Sequence, residues 1–465
     1  MTSIYLDHAA TSPIRPAARD AVLACWDLGP QNTGSSHSAG RAARARLWAA
    51  REQVAALVGA RADQVVFTSG ATEASNLAIR GLARVLPGRG GHAVSSRIEH
   101  SASRRAFEAL ATEGWSVSLL APDSGGLLDP ARAEDAFTAE TKLLSVIGGH
   151  NELGTVQRLA DLADLAHRRG ALFHVDGVQA AGTRDLSAVP WDLLSLSAHK
   201  LGGPMGVGAL VVRGDIHVGP LIVGGAQEGG IRPGTVAVAL CAGFGAAAAA
   251  VVADRTAEAK RLADLRDRLA AAIRARFPAA RPLGCWADRP DLALPHVLTL
   301  GFPGFQGDEL VWVLDQQGVQ ASSSAACLGD ARSHVMAAIG LPEETGVLRM
   351  SLGWSTTAQD LAAAIPRILA AIADLETLSP FARRRGPLEA KAAEAGLVLT
   401  PAHLSAAEAV YDFHSRESIL PGKRYLSRVL GPGAQVDRLY PQGLATLARW
   451  LGIPVPSGGC RPSAV

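Results

Sequence analysis

The chain is poor in lysine. Of its 45 Lys+Arg residues only Lys142, Lys200, Lys260, Lys391 and Lys423 are lysines; the rest are arginine. Cysteine is also scarce: Cys25, Cys241, Cys285, Cys327 and Cys460 are odd in number, widely spaced and contain no CxxC pair. That argues against a disulfide framework or a structural zinc centre, and no metal site is expected. An excess of one charge is missing. A net +2 over 465 residues carries no polyanion signal, so direct nucleic-acid binding is not expected. The N-terminal MTSIYLDHAATSP has no basic stretch followed by an apolar run, so it does not read as a signal peptide. No segment of 18 or more residues reads as a membrane span; LCAGFGAAAAAVVA is short and Ala-rich, the pattern of a buried helix. The expectation is a cytoplasmic protein without a membrane partner. Internal repeats and long low-complexity tracts are absent too.

What is present is apolar residues at 48% against 19% charged, enough for packed cores, in a length that suggests two or three domains. Short apolar runs alternate with helical spacing. QVVFTSG, KLLSVIGGH, ALFHVDGVQ, WDLLSLSAH and GALVVR read as strands, and ATEASNLAIRGLARVL and LADLADLAHRRG as helices. This alternation predicts an α/β fold with a large, mostly parallel sheet covered by helices over residues 15–255. TAEAKRLADLRDRLAAAIRARF reads as a bridging helix. HVLTLGF, DELVWVLDQQG, VLRMSLG and AQDLAAAIPRILAAIADLETL then predict a smaller α+β domain, made of 256–378 with 1–14. Residues 379–465 change character, with short helical patches between Pro and Gly, and read as a separate C-terminal helical appendage.

The chemistry starts at Lys200, in WDLLSLSAHKLGGPMGVGALVV, at the end of a buried-strand pattern. An ammonium there is costly unless paired or neutralised, and burial turns a lysine amine into a nucleophile able to form an imine. Pyridoxal 5′-phosphate (PLP) is the usual carbonyl partner. The alternative is a lysine snorkelling to the surface. FTSGATEASN places Gly70, Ala71 and Thr72 between a strand and a helix start, where backbone N–H groups and a hydroxyl suit a phosphate. Asp176, in FHVDGVQ, ends another strand, where a carboxylate can keep a pyridinium nitrogen protonated. Ser197 and His199 lie beside Lys200 as further phosphate donors.

YLDHAATSP, FTSGATEASNLAI, IEHSAS, GGHNELGTVQ, HVDGVQA, SAHKLGGPMGVGALVVR, RPGT and SSSAACLGDARSHVMAAIGL occur in this order. Together they resemble the cysteine desulfurases, the NifS-like branch of the fold-type I PLP enzymes within the class-V aminotransferase family, over residues 3–375. The resemblance implies an aspartate-aminotransferase-like fold with a seven-stranded sheet. It implies a homodimer and the conversion of L-cysteine to L-alanine, with sulfur passed to an acceptor protein in iron–sulfur cluster assembly or thio-modification. It makes Lys200 the imine-forming lysine, Asp176 the pyridinium partner, Gln179 a donor to the phenolic oxygen and His100 the ring-stacking proton carrier. Ala71, Thr72, Ser197 and His199 correspond to the phosphate cradle, and Thr235 to a residue reaching the phosphate across the dimer. Asn151 and Arg349 hold the substrate carboxylate, and Cys327 is the sulfur-accepting nucleophile. A guanidinium suits a carboxylate because it grips both oxygens. Small, polar residues flank Cys327, as in a mobile loop. Cys25 and Cys241 sit in apolar helical contexts and Cys285 in a loop.

Several positions depart from the family pattern. His334 follows Cys327 by seven positions, a short version of the sulfur-delivery loop. Ser324 and Ala325 stand where Gly-Ser is common, and Gly229 and Trp354 where arginines are. The appendage from Phe381 holds 11 Lys+Arg against 6 Asp+Glu; its RRR at 383–385 reads as a solvated linker. A docking module for an acidic acceptor and a relay through Cys460 are further readings of that region. A selenocysteine lyase, another PLP-dependent C–S lyase, and a non-catalytic PLP-fold scaffold that recruits partners through the appendage are the alternative functions.

Overall fold

The computed structural model describes residues 2–86, 90–323, 333–417, 443–453 and, between and after the last two stretches, 420, 421, 426, 429, 439, 440 and 455. Cys327 and Cys460 lie outside the described residues. Seven strands form the main sheet: β1 (Val65–Thr68), β2 (His92–Ser96), β3 (Ser116–Leu120), β4 (Thr141–Ile147), β5 (Leu172–Asp176), β6 (Leu193–Ser197) and β7 (Gly208–Val212). Their order is β1-β7-β6-β5-β4-β2-β3. Only β7 runs against its neighbours; the remaining pairings are parallel. β5, β6 and β7 are almost wholly buried, which is why they read as unbroken apolar runs: helices cover both faces of a parallel sheet.

The helices that matter for the site are α1 (Pro16–Trp26), α2 (Ser38–Leu57), α3 (Ala71–Asn76), α4 (Ser101–Thr112) and α5 (Val238–Arg276). α5 corrects two sequence expectations. The Ala-rich segment and the bridging helix are one continuous helix of 39 residues. It also contains an 18-residue window of mean hydropathy 1.5, long and apolar enough to cross a membrane by length and composition. Half of that window is buried, and the helix packs along α1 and α2. Cys241, Phe244, Ala247, Ala248 and Val251 enter the main core with Phe67 and Leu196. Leu262–Ile273 enter a second core with Ile4, Leu6, Leu298 and Leu348, so one helix ties the two cores together.

The second core lies against β8 (Val297–Pro303) and its antiparallel partner β9 (Thr345–Ser351). α6 (Gly307–Gln316) and α8 (Ala358–Thr377) complete it, and α7 (His334–Ala338) packs Val335 and Met336 with Ile98 and Leu153 instead. Beyond it come α9 (Pro380–Glu394), α10 (Pro401–Glu417) and α11 (Leu444–Trp450), whose Leu388, Val410 and Leu447 form a core of their own with Tyr440.

The RRR segment is not a solvated linker. It lies inside α9, and Arg384 is 2% exposed, with its guanidinium 2.9 Å from Asp308 and 3.1 Å from Glu309 at the start of α6. Arg383 stacks over the Phe305 ring at 4.7 Å; only Arg385 faces solvent, beside Glu389. Gly386 abuts Trp312 so closely that a Cβ there would sit 2.4 Å from the indole. A charge run this well matched to two carboxylates docks the appendage rather than spacing it.

Candidate active site

Parallel strands deliver their C-terminal ends to one rim, and ligands of open α/β sheets bind there. Asp176 is the last residue of β5, Lys200 closes a single 3₁₀ turn after β6, and His100 caps α4 just beyond β2. His100 Nδ1 accepts from the Ala102 N–H at 3.1 Å, which fixes its ring. Asp176 is nearly buried, with Oδ1 accepting from the Val178 N–H at 3.2 Å. Asp176 and Lys200 both act electrostatically on His100, so these three side chains form one cluster.

The N-terminal segment crosses the rim as a strap. Lys200 Nζ donates to the Ala9 and Ala10 carbonyls at 2.7 and 2.6 Å. Gln179 Nε2 donates to the same Ala9 oxygen at 2.9 Å. His199 Nδ1 lies 3.0 Å from Thr11 Oγ1, and the Ser12 N–H returns to the His199 carbonyl. The far end of the strap is held on β9, where the Ala9 N–H donates to Ser351 Oγ at 2.9 Å. Gly353 is required beside it: a Cβ there would stand 2.0 Å from the His8 ring.

Burial sets the protonation of the cluster. It lowers His100 below the usual imidazole value, against the opposing pull of Asp176, and lowers His199 to about 4. Both rings are therefore neutral at pH 7. Burial raises the Asp176 carboxyl, with His100, the Val178 N–H and Lys200 pulling it back. Among the described residues no arginine or lysine lies within ion-pair distance of Asp176. A cation brought against it would complete the pair. Glu99, also buried, is pushed up to about 8 by burial, against its bonds from the Ser96 hydroxyl and the Ile147 N–H. It is thus a second, neutral carboxyl behind Asp176.

The turn at Gly70 approaches β7 so closely that a Cβ on Gly208 would lie 2.6 Å from the Gly70 carbonyl carbon. Ala71 and Thr72 begin α3 at that turn, and Ser197 ends β6 next to it. Glu73 pins the neighbouring loop: it accepts from the Ser69 N–H at 2.6 Å and pairs with Arg232 at 2.9 Å. Glu228, at φ +51°, accepts from the Phe67 N–H at 2.7 Å and pairs with Arg51. The segment leading to Thr235 is thereby fastened to the cradle, and Thr235 itself is exposed on the single chain.

Arg349, on β9, is 5% exposed. It donates to Asp7 Oδ1 at 2.7 Å and to the Asn151 carbonyl at 3.1 Å. Its Nε is buried without an acceptor among the described residues. The segment holding Cys327 starts and ends at this place. Ser322 pairs backbone to backbone with Arg349. Ser333 Oγ donates to Glu152 at 2.7 Å, and His334 Nε2 lies 3.0 Å from the Glu99 carbonyl.

Asp7, Glu99 and Glu228 were given no role by sequence reasoning. Asp7 and Glu99 sit inside motifs quoted for other residues, YLDHAATSP and IEHSAS. Only the distant partner, 342 positions away for Asp7, reveals what Asp7 does. Cys25, Cys241 and Cys285 are free and buried.

Residues 4–363 match the aminotransferase class-V family. A cysteine desulfurase of Cereibacter sphaeroides is 40% identical over 389 residues, covering 82% of this chain and 98% of its own. The solved structure of a NifS-like protein superposes with a TM-score of 0.74 at 27% identity, covering 80% of this chain and all of the other. A second, of SspA in complex with cysteine, gives 0.65 at 30% identity over 75% of this chain and 99% of its own. The chain belongs to the class-V aminotransferase family, in its NifS-like branch with a fold-type I architecture. The curated relatives it matches over most of its length are cysteine desulfurases.

Proposed function

We infer that this protein is a PLP-dependent cysteine desulfurase, converting L-cysteine to L-alanine and keeping the sulfur as a persulfide on Cys327 for an acceptor protein. The observation that carries this reading is one strap that joins two groups: its Ala9 and Ala10 carbonyls hold Lys200, of the Lys200–Asp176–His100 cluster, and its Asp7 holds Arg349, at the root of the segment bearing Cys327. The residues fit PLP: Asp176 is a buried carboxyl with no arginine or lysine at ion-pair distance among the described residues, and the chain at Gly70, where α3 starts, approaches Gly208 too closely for a side chain there.

Bound here, PLP supplies an aldehyde for Lys200 and a protonated ring that accepts the electron pair released at the substrate Cα. Asp176 holds the ring proton and Gln179 donates to the phenolic oxygen. Ala71, Thr72, Ser197 and His199 bind the phosphate, joined by Thr235 from the second subunit of a homodimer. Arg349 and Asn151 orient the substrate carboxylate. Lys200 and the neutral His100 carry the proton at Cα. The Cys327 thiolate forms its bond to the substrate sulfur as the carbon–sulfur bond breaks. The carbon fragment keeps the electron pair and takes up a proton to become alanine. The free thiols Cys25, Cys241 and Cys285 fit the reducing cytoplasm, which is the setting proposed.

Cys327→Ser is the test. It should lower alanine and sulfide formation at least 100-fold, on the scale of losing a catalytic group, yet leave the visible absorbance of the PLP-loaded protein intact. Full turnover by that variant would remove Cys327 from the mechanism. Parallel assays with selenocysteine separate this reading from a selenocysteine lyase, and any alanine formed excludes a non-catalytic scaffold.

Arg349→Lys keeps the charge but not the two-pronged grip. Hydrogen bonds to charged groups contribute about 1.5–3 kcal/mol, so KM for L-cysteine should rise about 10- to 100-fold with a smaller change in kcat. Steady-state kinetics separate the two.

A further inference from the structure

Gln179 is held from two sides, and only one orientation of its amide is compatible with both. Nε2 lies 2.9 Å from the Ala9 carbonyl, which Lys200 also uses. With the amide turned over, two carbonyl oxygens would face each other at that distance. Oε1 therefore points the other way, to His296 Nε2, 3.5 Å off at the long end of hydrogen-bond range. An oxygen opposite Nε2 requires the imidazole to carry its proton there. His296 precedes β8, and its carbonyl accepts from the Leu352 N–H at 2.9 Å, which fixes the backbone that carries the ring. It is 8% exposed, and burial lowers it to about 3, so it is neutral and its Nδ1 bears a lone pair. Nδ1 is buried with no partner among the described residues.

His296 also lines a cavity of about 50 Å³ behind the rim, with His8, Arg15, Gln179, Lys200 and Glu258. A water needs about 10–15 Å³ of such space and two or more polar partners. The cavity is large and polar enough for more than one.

We propose that His296 is a positioning residue: it donates from Nε2 to Gln179 Oε1, so that the amide presents N–H rather than C=O toward Lys200 and the cofactor. This rests on the PLP reading above for what the amide faces. The positioning itself does not need the cofactor.

Three variants test it, because Gln and Asn place a polar nitrogen at the two different ring-nitrogen positions. His296→Gln keeps a donor where Nε2 stands. His296→Asn keeps polar atoms only near Nδ1, and His296→Leu keeps neither. The PLP-loaded Gln variant should retain the wild-type visible absorbance maximum and kcat. The Asn and Leu variants should show a displaced maximum and a kcat about five- to tenfold lower, the scale of one neutral hydrogen bond, with KM within about twofold. A circular dichroism melt of each variant identifies any that fails to fold. ¹⁵N NMR of the PLP-free wild-type chain should show His296 as the Nε2–H tautomer. An Nδ1–H tautomer, or a Leu variant with wild-type spectrum and kcat, would overturn the proposal. A wild-type chain that gives no visible band with PLP would instead strike the cofactor reading and leave the NMR result to decide on His296.

Discussion

Lys200→Ala is expected to lower L-cysteine turnover by about 10³- to 10⁴-fold, the scale of removing a nucleophile that also moves protons, and to abolish the visible band of the PLP-loaded protein. The amine has no understudy at the rim. The other lysines in the described residues, Lys142, Lys260 and Lys391, lie on β4, α5 and α9. The fold should survive the change. Lys200 Nζ binds two strap carbonyls, Ala9 and Ala10, and each lost hydrogen bond contributes about 0.5–1.5 kcal/mol. Gln179 still holds Ala9, and Ser351 still holds the strap from the other side. A melting temperature near wild type with lost turnover distinguishes chemistry from collapse. Substantial alanine formation by a well-folded Lys200→Ala protein would put the imine elsewhere.

The second large effect concerns the appendage. Arg384→Met should destabilise the protein by about 3–5 kcal/mol, the cost of leaving a buried charge without its partner. Glu309 is 3% exposed, and its pKa is already raised by burial, with Arg384 pulling it down. Without Arg384 this carboxyl must take up a proton or stay uncompensated. Asp308 is less affected, since Lys391 also reaches it at 3.3 Å. Arg384→Met with Glu309→Leu should recover much of the loss, because replacing both members of a buried pair by apolar groups is often neutral. Denaturant unfolding of the two variants provides the comparison. An unchanged midpoint for Arg384→Met would show that the pair contributes nothing to docking.

The same residues show what a sequence can and cannot disclose. The main sheet was legible because β5, β6 and β7 are buried on both faces and read as continuous apolar runs. β2 and β3 were not singled out. HAVSS and SVSLL are half polar, and His92 can be buried only because Thr141 and Ser118 bond its two ring nitrogens. α5 was read as two helices because charge resumes at Asp254 and Arg255, although the backbone continues from one core into the next. RRR looked solvated because its counterions, Asp308 and Glu309, lie some seventy residues upstream. At the site, Lys200 and Asp176 stand out as polar residues ending apolar strands, a local signal. Asp7 and His296 carry none: their contacts with Arg349 and Gln179 span 342 and 117 positions.

The scarcity of lysine makes the central claim open to a direct chemical measurement. Borohydride reduction of the PLP-loaded protein converts an imine into a permanent amine link, and peptide mass mapping then locates it. The account predicts one pyridoxyl group per chain, on Lys200. A label on Lys142, Lys260, Lys391 or Lys423 instead, or no label on a protein saturated with PLP, would contradict it.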